Sequence, residues 1–259
     1  MRLLKLDGDG APSLTEFSDD KIPRYAILSH TWTEGEEVTF KDLVEGDGKS
    51  KAGYTKILFC GKQSAHEGLQ YFWVDTCCID KSNNVELSEA LNSMFRWYRN
   101  SAKCYVYMAD VSRPAFDAND NQLSWESAFR KSRWFTRGWT LQELIAPASV
   151  EFFSKEGEQL GNKKLLERHV HEITGIPVKA LQGSSLSHFS VGDRFSWAEK
   201  RETTRQEDKA YSLLGMFGVF MAPIYGEGKD HAFIRLRDAI DRASKGRSFS
   251  PTASVLQEK

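Results

Sequence analysis

The chain has no apolar run long enough to cross a bilayer. Its opening residues Met1, Arg2, Leu3 and Leu4 give way to the polar Asp7-Gly-Asp-Gly10 before the apolar core of a secretory signal can form. Neither a transmembrane segment nor export is expected. Cysteine is scarce: Cys60, Cys77, Cys78 and Cys104 lie in or beside apolar runs, with no CxxC pair. That argues against a disulfide scaffold or a zinc site and for reduced, buried thiols in a cytoplasmic protein. An excess of either charge is also missing. The 35 basic and 36 acidic side chains leave a formal net charge of -1, so no nucleic acid is expected as a partner. Asp7-Gly-Asp-Gly10 and Tyr225-Gly-Glu-Gly228 lack the lysine and hydroxyl of a phosphate loop and read as turns. His169-x-His171 is too little for a metal site, and no metal is expected.

What the chain does have is aromatic mass. Its 259 residues include 16 Phe, 8 Tyr and 7 Trp, and 40% of all residues are hydrophobic, which suits one large domain or one domain with a modest second lobe. Arg24-Tyr-Ala-Ile-Leu-Ser29, Tyr71-Phe-Trp-Val-Asp75 and Lys103-Cys-Tyr-Val-Tyr-Met-Ala-Asp110 are short apolar runs that end in polar residues, as central strands of a parallel sheet do. Between the second and third, Leu87, Ala90, Leu91, Met94, Phe95 and Tyr98 recur at helical spacing. Strand, helix and strand in that order predict a right-handed crossover and a parallel pair.

Downstream, a polar excursion runs from Asp110 through Asn121, and an aromatic segment, Ser132 to Leu144, turns helical at about Trp139 and stops at Pro147. On that helix Leu141, Leu144 and Ile145 should face the core, with Trp139 and Glu143 together on an opposite, cleft-facing side. Val150 to Phe153 should return as a strand. Leu165 to Ile173, Asp208 to Met216 and Ala232 to Ile240 read as helices, with Thr204 and Glu207 as a capping box. The expected fold is α/β: a Rossmann-like parallel sheet of about residues 20–155 with a mainly helical extension of about 160–242. Residues 243–259 read as a linker or frayed end.

The residues suited to chemistry stand at strand ends. Ser29, His30 and Trp32 follow the first strand, Asp75 the second and Asp110 the third, and ligands of open parallel sheets bind outside the carboxyl ends of the strands. Each also suits a plain loop-holding role. Glu143 is either a solvated or salt-bridged helix residue or an acid whose pKa is raised among Trp134, Phe135, Trp139, Leu141 and Leu144. Arg133 and Arg137 suit either its neutralisation or contact with phosphate. Cys77 suits packing as well as nucleophilic attack.

Several segments in order resemble the heterokaryon-incompatibility (HET) domain of filamentous fungi. They are Ala26-Ile-Leu-Ser-His-Thr-Trp32, Trp73-Val-Asp-Thr-Cys-Cys-Ile-Asp-Lys81, Arg137-Gly-Trp-Thr-Leu-Gln-Glu-Leu144, the stretch from Thr203 to Gly215, and Ile224-Tyr-Gly-Glu-Gly-Lys229. Lys81 departs from the glutamine common in the family. The resemblance extends from about Tyr25 to Ile240 and implies a HET domain over residues 1–242. It also implies a flavodoxin-like sheet related to the Toll/interleukin-1 receptor (TIR) fold, and a role in non-self recognition and programmed cell death. Members of this kind precede NTPase and repeat regions in large receptors, so self-association and such C-terminal domains are the implied partners.

Trp139-Thr-Leu-Gln-Glu-Leu144 is similar to the TIR helix whose glutamate cleaves the nicotinamide–ribose bond of NAD+ in some members. By that likeness Glu143 is the catalytic candidate. Ser29, His30, Trp32 and Asp75 shape the pocket, Trp139 or Trp134 stacks on a planar ring, and Arg133 and Arg137 meet the diphosphate. NAD+ is the implied substrate, with no permanently bound cofactor. The alternative is a non-enzymatic death-signalling module that works by oligomerisation and interaction. Kinship of fold does not choose between them.

Overall fold

The computed structural model describes residues 1–113 and 123–247. Its frame is a seven-stranded sheet built from β1 (Arg2–Leu6), β2 (Pro12–Glu16), β3 (Tyr25–His30), β4 (Tyr71–Trp73), β5 (Lys103–Tyr107), β6 (Val150–Phe153) and β7 (Gln159–Asn162), in the order β2-β1-β4-β3-β5-β6-β7. The inner strands β4, β3, β5 and β6 are parallel, as the apolar runs predict. β3 is buried at every position and β5 at all but its first, which is how strands covered on both faces read.

The sheet as a whole is mixed, which corrects the expectation of a parallel one. An antiparallel hairpin joins it at each edge, β1–β2 on β4 and β7 on β6. The first hairpin lies before residue 20, where the sheet was expected to begin. Its turn is the Asp7-to-Gly10 segment, with Gly10 at φ 80, a conformation that favours glycine. Leu3 and Leu4 of β1 are fully buried, so this strand belongs to the core.

Helices α1 (Phe40–Glu45), α2 (Gly53–His66), α3 (Asp75–Cys78), α4 (Asn84–Asn100) and α5 (Leu123–Lys131) alternate with the strands, and a 3-10 turn (Arg133–Thr136) leads into α6 (Thr140–Ile145). α2 packs on β1, β3 and β4, whereas α6 packs on β3 and α4. In α4 the predicted stripe is met: Ala90, Leu91, Met94 and Tyr98 are buried, and Asn83 caps the first turn through Val85 N and Glu86 N.

The helical extension comprises α7 (Glu167–Thr174), α8 (Val178–Leu181), α9 (Val191–Ser196), α10 (Asp208–Tyr211), α11 (Leu214–Phe217) and α12 (Gly228–Arg247). It closes over α6 and α4. Two expectations about its ends change. Thr204 and Glu207 form no capping box, because Glu207 turns away to accept hydrogen bonds from Gly226 N at 2.8 Å and Gly228 N at 3.1 Å. α12 continues to Arg247, into the stretch read as linker, and residues 248–259 lie outside the described residues, as does most of the polar excursion before Asn121. Among the described residues, no helix is long and apolar enough to cross a membrane.

Candidate functional site

Ser29 and His30 are neighbours in β3, and the two-residue period of a strand sends them to opposite faces of the sheet. The polar residues expected to converge on one hollow are therefore gathered in two adjoining clusters.

The first is Ser29, Trp134, Tyr98 and Glu143. Ser29 Oγ accepts from Trp134 Nε1 at 2.8 Å and donates to Glu143 Oε2. Tyr98, which anchors its hydroxyl on Leu28 O at 2.9 Å, also reaches the Glu143 carboxyl. Ser29 and Trp134 are fully buried, and Glu143 is only 6% exposed. Burial pushes the Glu143 carboxyl up to about 8, and the nearby Asp75 carboxylate adds to this. The bonds from Ser29 and Tyr98 and the charge of Arg201 pull the other way without prevailing.

Glu143 stands so deep because α6 is buried on every side: Thr140, Leu141, Gln142, Glu143, Leu144 and Ile145 are all inaccessible. This overturns the two-sided helix of the sequence reading. Trp139 does not share a cleft face with Glu143; it stands at the helix start, half-buried, with its indole hydrogen-bonded to Asp208 of the extension. The helix ends are held by buried cations. Arg201 Nη1 donates to Arg137 O at 2.9 Å and Thr140 Oγ1 at 2.8 Å, and Lys163 Nζ donates to Leu144 O at 3.1 Å and Pro147 O at 2.6 Å.

The second cluster is ionic. His30 Nε2 meets Asp75 Oδ1 at 3.1 Å, and Lys81 Nζ stands 3.4 Å from Asp75 Oδ2. Burial alone would raise the Asp75 carboxyl, but the Lys81 and His30 contacts hold it well below the usual carboxylate range. On the other side of His30, Glu37 Oε2 lies 3.7 Å from Nδ1, and Glu37 is itself paired with Lys56 from α2, whose ammonium also donates to Thr31 O at 3.0 Å. Trp32 stands at the rim, 45% exposed, with the Lys81 ammonium 3.6 Å from its ring centroid. Lys81, where the family often has glutamine, thus supplies both a charge for Asp75 and a cation on Trp32.

The remaining candidates are structural neighbours of these clusters. Asp110 brackets the 3-10 turn, accepting from Ser132 Oγ at 2.7 Å and Arg133 N at 2.8 Å. The exposed Arg133 side chain reaches Trp32 O at 3.5 Å, and Arg137 donates to Thr204 Oγ1 at 2.9 Å. Neither arginine pairs with Glu143. Cys77 is buried, and burial raises its thiol well above the ordinary value, the opposite of an activated nucleophile. The sequence reading missed Tyr98, Glu37, Lys56 and Arg201. Tyr98 was legible only as a core position of a helical stripe, while the others lie far from the motifs they serve. Three surface cavities elsewhere on the molecule are lined by none of Ser29, His30, Asp75 or Glu143.

The model of the family described as "Heterokaryon incompatibility protein (HET)" matches residues 25–129, which contain β3, Asp75, Lys81 and Tyr98. The chain carries a HET domain. It is 58% identical over 244 residues to Vegetative incompatibility protein HET-E-1 of Podospora anserina, an alignment that covers 93% of this chain and 18% of that protein. The chain thus spans less than a fifth of the relative it matches. An alignment of this length runs well beyond residues 25–129, the segment of the HET match, into the helical extension. No solved structure matches this HET domain.

Proposed function

We propose that this HET domain is the effector of a larger fungal incompatibility protein, and that it triggers cell death through self-association and contact with partners. The observation that carries this reading is the closure of its acid. Glu143 is held by Ser29 and Tyr98, walled by Trp134 and covered by the extension, an arrangement that stabilises the fold and offers no open cleft around the carboxyl. Likeness to one stretch of a much longer incompatibility protein supports a module that works within a larger assembly. The test is Glu143→Gln, which keeps the size and hydrogen-bonding shape of the side chain. A folded variant should keep both lethality on expression in fungal cells and self-association. Loss of lethality together with loss of NAD+ turnover would defeat this reading.

A second reading has one observation in its favour. The parallel strands run in the order β4-β3-β5-β6, that is second, first, third, fourth, as in flavodoxin-like sheets. Ser29 is the last residue but one of the first of them, beside a carboxyl group that burial keeps protonated up to about 8. On this reading assembly opens the cluster, and Glu143 as a carboxylate stabilises the oxocarbenium-like ribosyl cation left when nicotinamide departs from NAD+. Nicotinamide release by assembled protein, abolished in the same Glu143→Gln variant, is the result it requires.

A further inference from the structure

A groove of about 1300 Å³ opens at the starts of β5 and β6, the end of the parallel strands opposite Ser29 and His30. The end of α6, α8, α11 and the last turn of α12 contribute to its walls. Phe95, Ile145 and Leu181 give it an apolar lining, while Ala148, Gly183 and Gly215 place little or no side chain along it. Small residues of this kind let another backbone come close. The volume exceeds the range of about 300–1,000 Å³ in which small-molecule sites fall. An elongated occupant with a few apolar side chains and little charge suits it better.

The chain itself supplies such an occupant. Ser244 of α12 lines the groove, the helix ends at Arg247, and residues 248–259 follow as Ser-Phe-Ser-Pro-Thr-Ala-Ser-Val-Leu-Gln-Glu-Lys. Phe249, Val255 and Leu256 are the large apolar side chains of that stretch, and its charges are confined to Glu258 and Lys259. Pro251 has no N–H and disfavours a helical Ser250, so this sequence suits an extended course over another turn of α12. Extended, twelve residues reach about 40 Å, ample for a path along the groove. We propose that residues 248–259 bind in this groove of their own domain, with Phe249 against the apolar lining. Lys163, which holds Leu144 O and Pro147 O, lines the same groove, so the bound segment covers the end of the helix that carries Glu143. Whatever chain follows the domain is thereby tied to α6, under either reading of Glu143.

Iodoacetamide alkylation of the whole chain tests this. The four natural cysteines are interior, so a thiol introduced by Ala148→Cys reports on the groove. It should react at least about tenfold faster when the chain also carries Phe249→Ser, Val255→Ser and Leu256→Ser. Val44→Cys, on α1 and 65% exposed outside the groove, should react at one rate in both backgrounds. Equal rates for Ala148→Cys with and without the three serines would overturn the proposal. An equal acceleration at Val44→Cys would do the same, by showing a general loosening of the fold. Protection of Ala148→Cys that fades on dilution would also overturn it, by assigning the groove to a second copy of the chain.

Discussion

A carboxyl group removed from water gives up its proton late, and Glu143 does so at about 8 where the ordinary value is 4.5. Between these two pH values the folded chain keeps a proton that the unfolded chain has already released. Stability must therefore fall as pH rises through that window, and this group adds no further slope above it. Glu143→Gln removes the titration while preserving the contact with Ser29. The melting temperature of the wild type should drop more steeply than that of the variant between about pH 5 and about pH 8, and parallel curves would refute the buried, protonated state. Lys163 is the converse case. Burial lowers its ammonium to about 8, so its own effect on stability runs the other way and lies at higher pH, outside the window that Glu143 governs.

At the scale of elements, the seam between sheet and extension depends on backbone surfaces left bare. Gly215 of α11 rests directly on α4, where an added Cβ would lie 2.1 Å from Phe95 Cβ. Overpacking of this kind costs about 1–3 kcal/mol where neighbours can shift, and here the opposing atom is tied to the α4 backbone. Gly215→Ala should lower the melting temperature by several degrees and reduce soluble yield, measured by thermal melts and expression; an unchanged melt would show that the two helices slide apart freely. Gly138 plays the same part where Gly138 N donates to Glu202 O at 2.8 Å, with Thr203 Cγ2 only 2.4 Å from the place of a Cβ. Both glycines were visible in the sequence as motif letters, Arg137-Gly-Trp139 and Leu214-Gly215. Their reason was not, because it lies in the segment across the seam.

The same limit explains what else was and was not legible. Strands buried on both faces announce themselves as apolar runs, so β3, β4, β5 and β6 were found, as was α4 from its stripe. The edge strand β2 is half-covered and five residues long, and its sequence Pro12-Ser-Leu-Thr-Glu16 carries no such signal. α6 misled the periodicity argument because it has no water-facing side: Gln142 and Glu143 are polar letters at buried positions. The sequence reading put Ser29, His30 and Asp75 around one pocket with Glu143; Ser29 bonds to Glu143, and the split of this pair from His30 and Asp75 follows from strand alternation once β3 is known to include His30.

At the scale of the whole molecule, sheet and extension are not independent layers. α6 is a short helix of six residues, tied to Arg201 at its start, capped by Lys163 at its end and covered by α8 and its neighbours. A chain cut after Asn162 would keep the entire sheet yet expose α6 and remove both cations that hold its ends. It should lack cooperative unfolding and show little near-ultraviolet circular dichroism. A sharp, reversible melt of that fragment would establish a self-sufficient sheet domain.

The placement of sulfur has a practical corollary. Cys60, Cys77, Cys78 and Cys104 are all free and all interior, so the native surface presents no thiol to a reagent. Cys104 Sγ lies 3.8 Å from the Glu143 carbonyl oxygen. Alkylation at Cys104 would then act as a clock for breathing at the acid's own backbone, written into the protein without any added label.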